Sequence, residues 1–71
     1  MNQTINNLQL QVESALMQDR ITQDYGIEVL DSNGVITLRG MVPNRKIREQ
    51  AEAIARGVTG VSNVINELDV V

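Results

Sequence analysis

The sequence predicts an α+β fold in which two amphipathic helices cover one face of a three-stranded mixed sheet. Three observations indicate it. Apolar residues recur every three or four positions in two segments, which is typical of helices packed on a core. Three other segments alternate apolar and polar residues, as strands do. An Asn-Gly pair between two of them is typical of a tight hairpin. The order is helix, strand, strand, helix, strand, and placing both helices on one face is the economical arrangement.

The composition restricts the classes of protein to which the chain can belong. Its 71 residues suit one small domain, which we place at residues 1–71. Cysteine and histidine are absent, which excludes disulfides and thiol chemistry and removes the commonest zinc ligands and acid–base group. The formal charge is −3 and Tyr25 is the single aromatic residue, which argues against nucleic-acid binding. No nucleophile–base or carboxylate pair can be assembled, so we expect neither enzymatic activity nor a cofactor.

The start of the chain bears on its location. The first residues, MNQTINN, have neither a charged nor an apolar region and do not form a signal peptide. No apolar run approaches the roughly 20 residues of a membrane-spanning helix. We therefore expect a cytoplasmic protein if Met1 is the natural start, and an envelope or periplasmic one if the chain is part of a longer protein.

The first helix is predicted from Thr4, a suitable N-cap, to about Arg20. Its inward face is formed by residues at spacings of three and four, namely Ile5, Leu8, Val12, Ala15 and Leu16. Leu10 and Met17 lie on the side of the helix away from this stripe.

The hairpin follows, with a first strand at residues 26–31 and Asn33–Gly34 as a type I′ loop, because both central residues need positive φ. The loop sets the register, in which the opposed pairs are Ser32–Val35, Leu30–Thr37, Val29–Leu38, Glu28–Arg39 and Ile27–Gly40. Opposed residues point to the same side of a sheet. Apolar pairs therefore collect on one face and opposite charges pair on the other, so the turn and the hydrophobic pattern agree.

Gly40 falls on the inner face of the second strand, beside Ile36, Leu38 and Val42. A glycine there leaves bare backbone, and we expect the second helix to pack closely against it. A bulge or bend is the alternative. Pro43 cannot donate to a sheet ladder, so the strand ends near Val42.

Asn44 is a good N-cap for the second helix. Its apolar stripe is formed by Ile47, Ala51, Ile54, Ala55 and Val58. Gly57 and Gly60 end it. The segment between them also fits the G-x-x-G loop of KH nucleic-acid-binding domains, but that loop joins two helices, so we favour a plain helix stop.

The last strand is predicted from Val61 or Ser62 to about Val71. Its inward residues are Val64, Leu68 and Val70, with Asn66 between them, and its outward residues are Ile65, Glu67 and Asp69. If it lies parallel to the second strand, the crossover should be right-handed.

An ordered set of these residues runs through nearly the whole chain, from about Ile5 to Val71. It comprises Ile27-x-Val29, Asn33-Gly34-Val35-Ile36-x-Leu38-x-Gly40-x-Val42, the helix segment AEAIA, Gly60-Val61, Val64-x-Asn66 and Leu68-x-Val70. The set resembles the BON domain family, named for bacterial osmotically induced and nodulation proteins. The resemblance implies a non-enzymatic binding module, an association with bacterial envelopes and osmotic stress, and phospholipid binding. Family members often carry paired copies behind a signal peptide.

Three cations, Arg45, Lys46 and Arg48, lie in the first turn of the second helix. A helix N-terminus favours acidic residues by about 0.3–1 kcal/mol per charge, so these cations break a local rule. Together with the free backbone N–H groups of that turn, these cations indicate a binding site for an anion such as phosphate. The residues of this predicted site are Asn44, Arg45, Lys46 and Arg48. The resemblance extends this to anionic phospholipid headgroups.

A solvated helix face is the alternative, stabilised by Arg45–Glu49, Arg48–Glu52 and Glu52–Arg56 pairs.

The outer sheet face is predicted to be half apolar, with Leu30, Val35, Met41 and Ile65 on it. Together with Leu10 and Met17 these residues are a candidate surface for a protein partner or a second copy of the chain. The alternative is a sheet face that simply meets water. No metal site is expected, because the acidic residues near the hairpin lack EF-hand spacing.

Overall fold

The computed structural model describes residues 7–71. Its elements are α1 (Leu8–Gln18), β1 (Glu28–Ser32), β2 (Val35–Val42), α2 (Arg45–Arg56) and β3 (Asn63–Val70). The sheet order is β1-β2-β3, with β1 antiparallel and β3 parallel to β2. Helix α1 packs on β1 and α2, and α2 packs on β2 and β3. The predicted α+β fold and its element order are confirmed. No helix within residues 7–71 is long and apolar enough to cross a membrane.

Helix α1 begins later than predicted. Asn7 has extended backbone at φ −92° and ψ 93°, and its Oδ1 accepts a hydrogen bond from the Leu10 N–H at 3.1 Å. The N-cap of α1 is therefore Asn7, and the prediction of a cap at Thr4 is wrong; Asn7 has the short polar side chain that a cap needs. Thr4 and Ile5 themselves lie outside the described residues.

The segment after α1 is fixed by Asp19, which ends the helix with extended backbone. Its Oδ2 accepts from the N–H groups of Ile21 and Thr22 at 3.0 and 3.2 Å. The buried Thr22 hydroxyl donates to the Leu16 carbonyl at 2.6 Å, and Gln50 of α2 donates to Asp19 Oδ1 at 3.3 Å. This connection therefore satisfies its polar groups internally and is attached to both helices.

The hairpin has the predicted loop and register. Asn33 and Gly34 both have positive φ, 53° and 88°. The observed pairs are those expected from Ser32–Val35 through Glu28–Arg39. The loop is also held from both sides, because the Gly34 N–H donates to Asp31 Oδ1 at 3.0 Å and its carbonyl accepts from the Ser62 N–H at 2.8 Å. The tip of the hairpin is thereby attached to the segment that leads into β3.

The environment of Gly40 differs from the prediction. Gly40 has φ 145°, and a Cβ placed on it would lie 3.0 Å from the Gly26 carbonyl oxygen and 3.6 Å from Leu68 Cδ2. Neither atom belongs to α2, so the expected close approach of that helix is wrong. The segment before β1 passes over this bare backbone instead. The ladder between β1 and β2 stops at Glu28–Arg39, so the expected Ile27–Gly40 pair is absent from the register.

The core lies between the inner sheet face and the two helices. Its buried apolar residues are Val12, Leu16, Val29, Ile36, Leu38, Val42, Ala51, Ala55, Val64 and Leu68. The two alanines come from α2 and let its backbone approach the sheet. Val70, expected to point inward, pairs with Val42 at the last position of the ladder and is 46% exposed. After α2, the N–H of the C-cap Gly57 donates to the Ala53 and Ile54 carbonyls, and its backbone stays right-handed at φ −79°. The left-handed residue is Gly60, with φ 103°, which lies in the loop before β3.

The replacement Gly40→Ala should lower the free energy of unfolding by about 1–3 kcal/mol, because alanine resists positive φ and its Cβ would press on the Gly26 carbonyl. Urea unfolding measures it. Gly26→Ala is the matched control, since a Cβ there meets nothing within 4 Å, and it should leave stability level or raise it by up to about 1 kcal/mol. An unfolding midpoint for Gly40→Ala equal to that of the parent would contradict this account of Gly40.

Candidate functional site: the start of α2 and its contact with β3

The first turn of α2 presents free cations and free backbone donors. Asn44 is the N-cap, as predicted: its backbone is extended and its Oδ1 accepts from the Ile47 N–H at 3.0 Å. Its carbonyl accepts from the Arg48 N–H at 3.4 Å. The N–H groups of Arg45 and Lys46 have no acceptor among residues 7–71, and both side chains are exposed. Two N–H groups and two cations thus remain available to an anion.

Arg48, the third predicted cation, lies against β3. Its side chain is half-buried, and a terminal guanidinium nitrogen donates to the Asn66 carbonyl at 3.4 Å. In return the Asn66 amide donates to the Arg48 carbonyl at 2.9 Å. The structure therefore brings Asn44, Arg45 and Lys46 together at the helix start and holds the Arg48 guanidinium on the neighbouring strand.

Asn66 is the centre of a polar contact that sequence reasoning missed. Its amide nitrogen also donates to Glu52 Oε1 at 3.2 Å, and its Oδ1 accepts from the Leu68 N–H at 3.1 Å. Arg56 completes the set by pairing with Glu52 Oε2 at 3.0 Å. We call Arg48, Glu52, Arg56 and Asn66 the α2–β3 seam. The sequence signal was present, since Asn66 is a polar residue in the otherwise apolar inward series of β3.

The seam shifts the ionisation of Glu52. The Asn66 amide and the Arg56 guanidinium both donate to its carboxylate and hold its pKa below the ordinary value, and the positive charges of Arg56 and Arg48 act in the same direction. Partial desolvation raises the pKa, by less than either hydrogen bond lowers it. Glu52 therefore belongs to the seam in its ionised form.

Of the three ion pairs predicted on the solvated side of α2, one is present among residues 7–71. The Glu52–Arg56 ion pair is confirmed at 3.0 Å. Within residues 7–71, Glu49 forms no ion pair with Arg45. Over the same residues Arg48 makes no ion pair with Glu52, because its guanidinium lies on β3. The exposed cations at the helix start are thus not accounted for by pairing along the helix.

The outer sheet face carries one short apolar row. Leu30, Thr37 and Ile65 are in register across the three strands, and Leu30 and Ile65 are 36% and 44% exposed. The adjacent row is charged and consists of Glu28, Arg39 and Glu67, with Arg39 and Glu67 paired at 3.0 Å. Met41 lies beyond this charged row.

The residues of the predicted partner surface therefore do not form one continuous patch. Leu30 and Ile65 lie together on the outer face, Met41 is separated from them by the charged row, and Val35 is half-buried. Leu10 and Met17 are exposed, at 56% and 70%, but belong to α1 in the helical layer on the other side of the sheet. The described residues contain no group of three or more side chains placed to hold a metal ion.

The fold and the site define a class: a small α+β domain, two helices on one face of a β1-β2-β3 mixed sheet, with its candidate ligand groups at the surface. The chain belongs to the BON domain family, whose model matches residues 4–71. This confirms the resemblance inferred from the sequence.

Two curated relatives are similar to the chain. One is the outer membrane lipoprotein DolP of Haemophilus influenzae, 39% identical over 64 residues that cover 89% of this chain and 33% of that protein. The other is osmotically-inducible protein Y of Escherichia coli, 33% identical over 58 residues that cover 82% of this chain and 29% of that protein. The chain therefore spans about a third of the length of these relatives.

The lowered pKa of Glu52 predicts a pH-dependent contribution to stability. An ionised carboxylate that is favoured in the fold stabilises it above the ordinary glutamate pKa of about 4.3, and the contribution is lost as the pH falls through the lowered pKa. Glu52→Gln should therefore be less stable than the parent near neutral pH, and the difference should shrink on acidification. Urea unfolding from about pH 7 to about pH 3 measures it.

Glu49→Gln is the matched control, because the Glu49 carboxylate accepts no hydrogen bond within residues 7–71. A gap between Glu52→Gln and the parent that stays constant over the whole pH series would show that the seam does not favour the ionised carboxylate.

Proposed function

We propose that the chain is a single non-enzymatic domain that attaches to membrane surfaces by binding anionic phospholipid headgroups at the start of α2. The observation that carries the proposal is the pair of exposed cations, Arg45 and Lys46, beside two backbone N–H groups that have no acceptor among residues 7–71. A phosphate oxygen accepts from both kinds of donor. Membership in the BON family supports this ligand class, because the family is associated with phospholipid.

The electrostatics make the attachment local and reversible. The net charge of −3 opposes a general attraction to an anionic surface. Each basic residue near such a membrane contributes about 1 kcal/mol, so two or three of them give association without anchoring. Since the Debye length is about 8 Å at physiological ionic strength, salt should weaken the contact strongly.

The relatives support a place at the bacterial envelope. The name of the Haemophilus influenzae relative describes an outer membrane lipoprotein, and that of the Escherichia coli relative an osmotically inducible protein. We carry the envelope location and the link to osmotic stress to this chain as part of the proposal.

The proposal predicts that replacing Arg45 and Lys46 together with glutamine reduces binding to anionic vesicles. Glutamine keeps a good helix former at both sites. Affinity for vesicles that contain phosphatidylglycerol should fall by roughly tenfold or more, because two contributions of about 1 kcal/mol are lost. The salt dependence should flatten, while stability stays level or rises by up to about 1 kcal/mol, since the helix dipole disfavours these cations. Vesicle co-sedimentation and urea unfolding measure both effects.

The matched control is Arg39→Gln combined with Arg56→Gln, which gives the same net charge. Arg39 lies on the outer sheet face and Arg56 at the other end of α2. Each of these arginine side chains is more than half exposed in its ion pair, so its loss should cost little stability. The control should lose much less affinity. Equal losses in the two double variants would show a bulk charge effect, and a parent that binds anionic vesicles no better than neutral ones would remove the proposed function.

A second candidate function is protein–protein or self-association through the outer sheet face. The observation in its favour is the row of Leu30, Thr37 and Ile65, which places two exposed branched side chains in register on the outer face of the sheet. Contiguous apolar patches at a surface mark protein contacts, and Thr37 lies between the two apolar residues in the row.

Light scattering tests whether the chain associates with itself. If the row mediates self-association, the mass of the parent rises above 7.9 kDa with concentration, and Ile65→Lys returns it to the monomer because a charge in an apolar contact is costly. Met17→Lys on α1 is the control and should change nothing. A parent that stays monomeric at the highest attainable concentration removes the self-association version.

A further inference from the structure

The register of the hairpin fixes which backbone groups of β3 face the open edge of the sheet. In a two-residue hairpin the residues beside the loop, Ser32 and Val35, exchange backbone hydrogen bonds. Odd-numbered residues of β2 therefore bond to β1, and even-numbered residues bond to β3. The Val71 N–H donates to the Val42 carbonyl at 3.0 Å, in agreement. Because β3 runs parallel to β2, the odd-numbered residues of β3 bond to β2. The N–H and C=O groups of its even-numbered residues therefore point to the open edge of the sheet.

An edge of this kind is a template for pairing with another chain. All eight residues of β3 pair continuously with β2, so the strand is long and regular. It contains neither lysine nor proline, two residues that commonly block edges. The outward backbone groups are those of Val64, Asn66, Leu68 and Val70.

Two of the central outward groups are occupied by the chain itself. The Arg48 guanidinium donates to the Asn66 carbonyl at 3.4 Å, and the Asn66 side chain accepts from the Leu68 N–H at 3.1 Å. The Asn66 amide is held in this position by the Arg48 carbonyl and by Glu52. An incoming strand would need both of these backbone groups, which are adjacent at the middle of the edge.

We propose that Arg48 and Asn66 close the outer edge of β3 to strand addition, and that the partner they exclude is a second copy of this chain. With the two side chains removed, two β3 strands pair antiparallel about a two-fold axis at position 66. The proposal does not rest on lipid binding. It assigns to Arg48 a role other than the headgroup contact proposed for Arg45 and Lys46.

The side chains of β3 favour a second copy in one register. With position 66 opposite itself, Val64 faces Leu68 of the second copy on the inner side. On the outer side Asn63 faces Asp69, and Ile65 faces Glu67, a mismatch that lies on the solvated face and not against the helices. No like charges are opposed. Moving the axis to Glu67 sets that carboxylate against its own copy, and moving it to Ile65 sets Val64 against Asn66. Opposed like charges and apolar–polar mismatches destabilise a pair of strands.

The hydrogen bond from the Leu68 N–H to the Asn66 side chain is tested by amide hydrogen exchange. The parent and Asn66→Thr are compared at a concentration where both are monomeric. Threonine is well tolerated in strands. In the parent, the Leu68 N–H should exchange several-fold more slowly than the Val64 and Val70 N–H groups, which also face the edge. In Asn66→Thr it should exchange as fast as they do. A Leu68 N–H that exchanges in the parent as fast as its edge-facing neighbours overturns the proposal.

The closure is tested by the mass of the double variant Arg48→Gln with Asn66→Thr. Light scattering should show its mass rising with concentration towards twice the monomer, at concentrations where the parent does not change. Arg45→Gln with Lys46→Gln removes more charge from the same helix turn without touching the edge, and it should behave as the parent does. A folded double variant that keeps the mass of the parent at every concentration overturns the proposal, as does equal association of the control.

The register is tested by Asn63 in the double-variant background. Asn63→Asp places like charges opposite Asp69 of the second copy and should weaken association, and Asn63→Lys should strengthen it. Because each dimer contains two such pairs, the two variants should differ by roughly fivefold or more. No difference between them overturns the register. If the double variant does not fold, Arg48→Gln and Asn66→Thr are measured separately, since each frees one of the two backbone groups and Arg48→Gln keeps every Asn66 side-chain contact, including that with the Arg48 backbone carbonyl. A mass equal to that of the parent for both single variants at every concentration overturns the closure.

Discussion

The two-residue turn at Asn33–Gly34 determines the direction of almost every group in the sheet. Positive φ at both residues closes the turn with Ser32 opposite Val35, and no other register is compatible with that closure. The alternation along β2 then decides which side chains face the helices and which backbone groups remain for β3. A shift of one residue would expose the apolar core residues of β2 and direct Arg39 inward. The contact of the Gly34 carbonyl with Ser62 extends this constraint to the start of β3.

The core that this register creates is thin, and polar contacts help to fix the positions of the helices. A chain of this length buries only about 60% of the surface of its unfolded state. Apolar burial alone therefore holds the helices weakly in position. Thr22 and Asp19 fix the end of α1 and the path of the chain into β1. Asn66 fixes α2 on β3 through the seam. Each helix is thus positioned by directional hydrogen bonds in addition to non-directional packing.

The elements, the hairpin register and the N-cap at Asn44 could be predicted because local rules determine them. Periodicity marks the helices, and the Asn-Gly turn determines the register without reference to distant residues. Two of the errors involve contacts between segments remote in sequence. Gly40 required a partner, and pattern alone could not show that the Gly26 carbonyl, not α2, approaches it. The direction of the Arg48 side chain depends likewise on Asn66, 18 positions away. The start of α1 was misplaced because Thr4 and Asn7 are both competent caps.

The three cations in the first turn of α2 differ in whether another contact offsets their unfavourable position. A positive charge there costs about 0.3–1 kcal/mol against the helix dipole. Arg48 recovers this through its hydrogen bond to the Asn66 carbonyl, since a bond with a charged donor contributes about 1.5–3 kcal/mol when well formed, and the 3.4 Å distance places this one at the weak end. Arg45 and Lys46 have no such compensation within residues 7–71. Their cost is not offset by an ion pair among these described residues, so an anionic ligand at this turn would gain affinity by removing it, as the proposed headgroup contact requires.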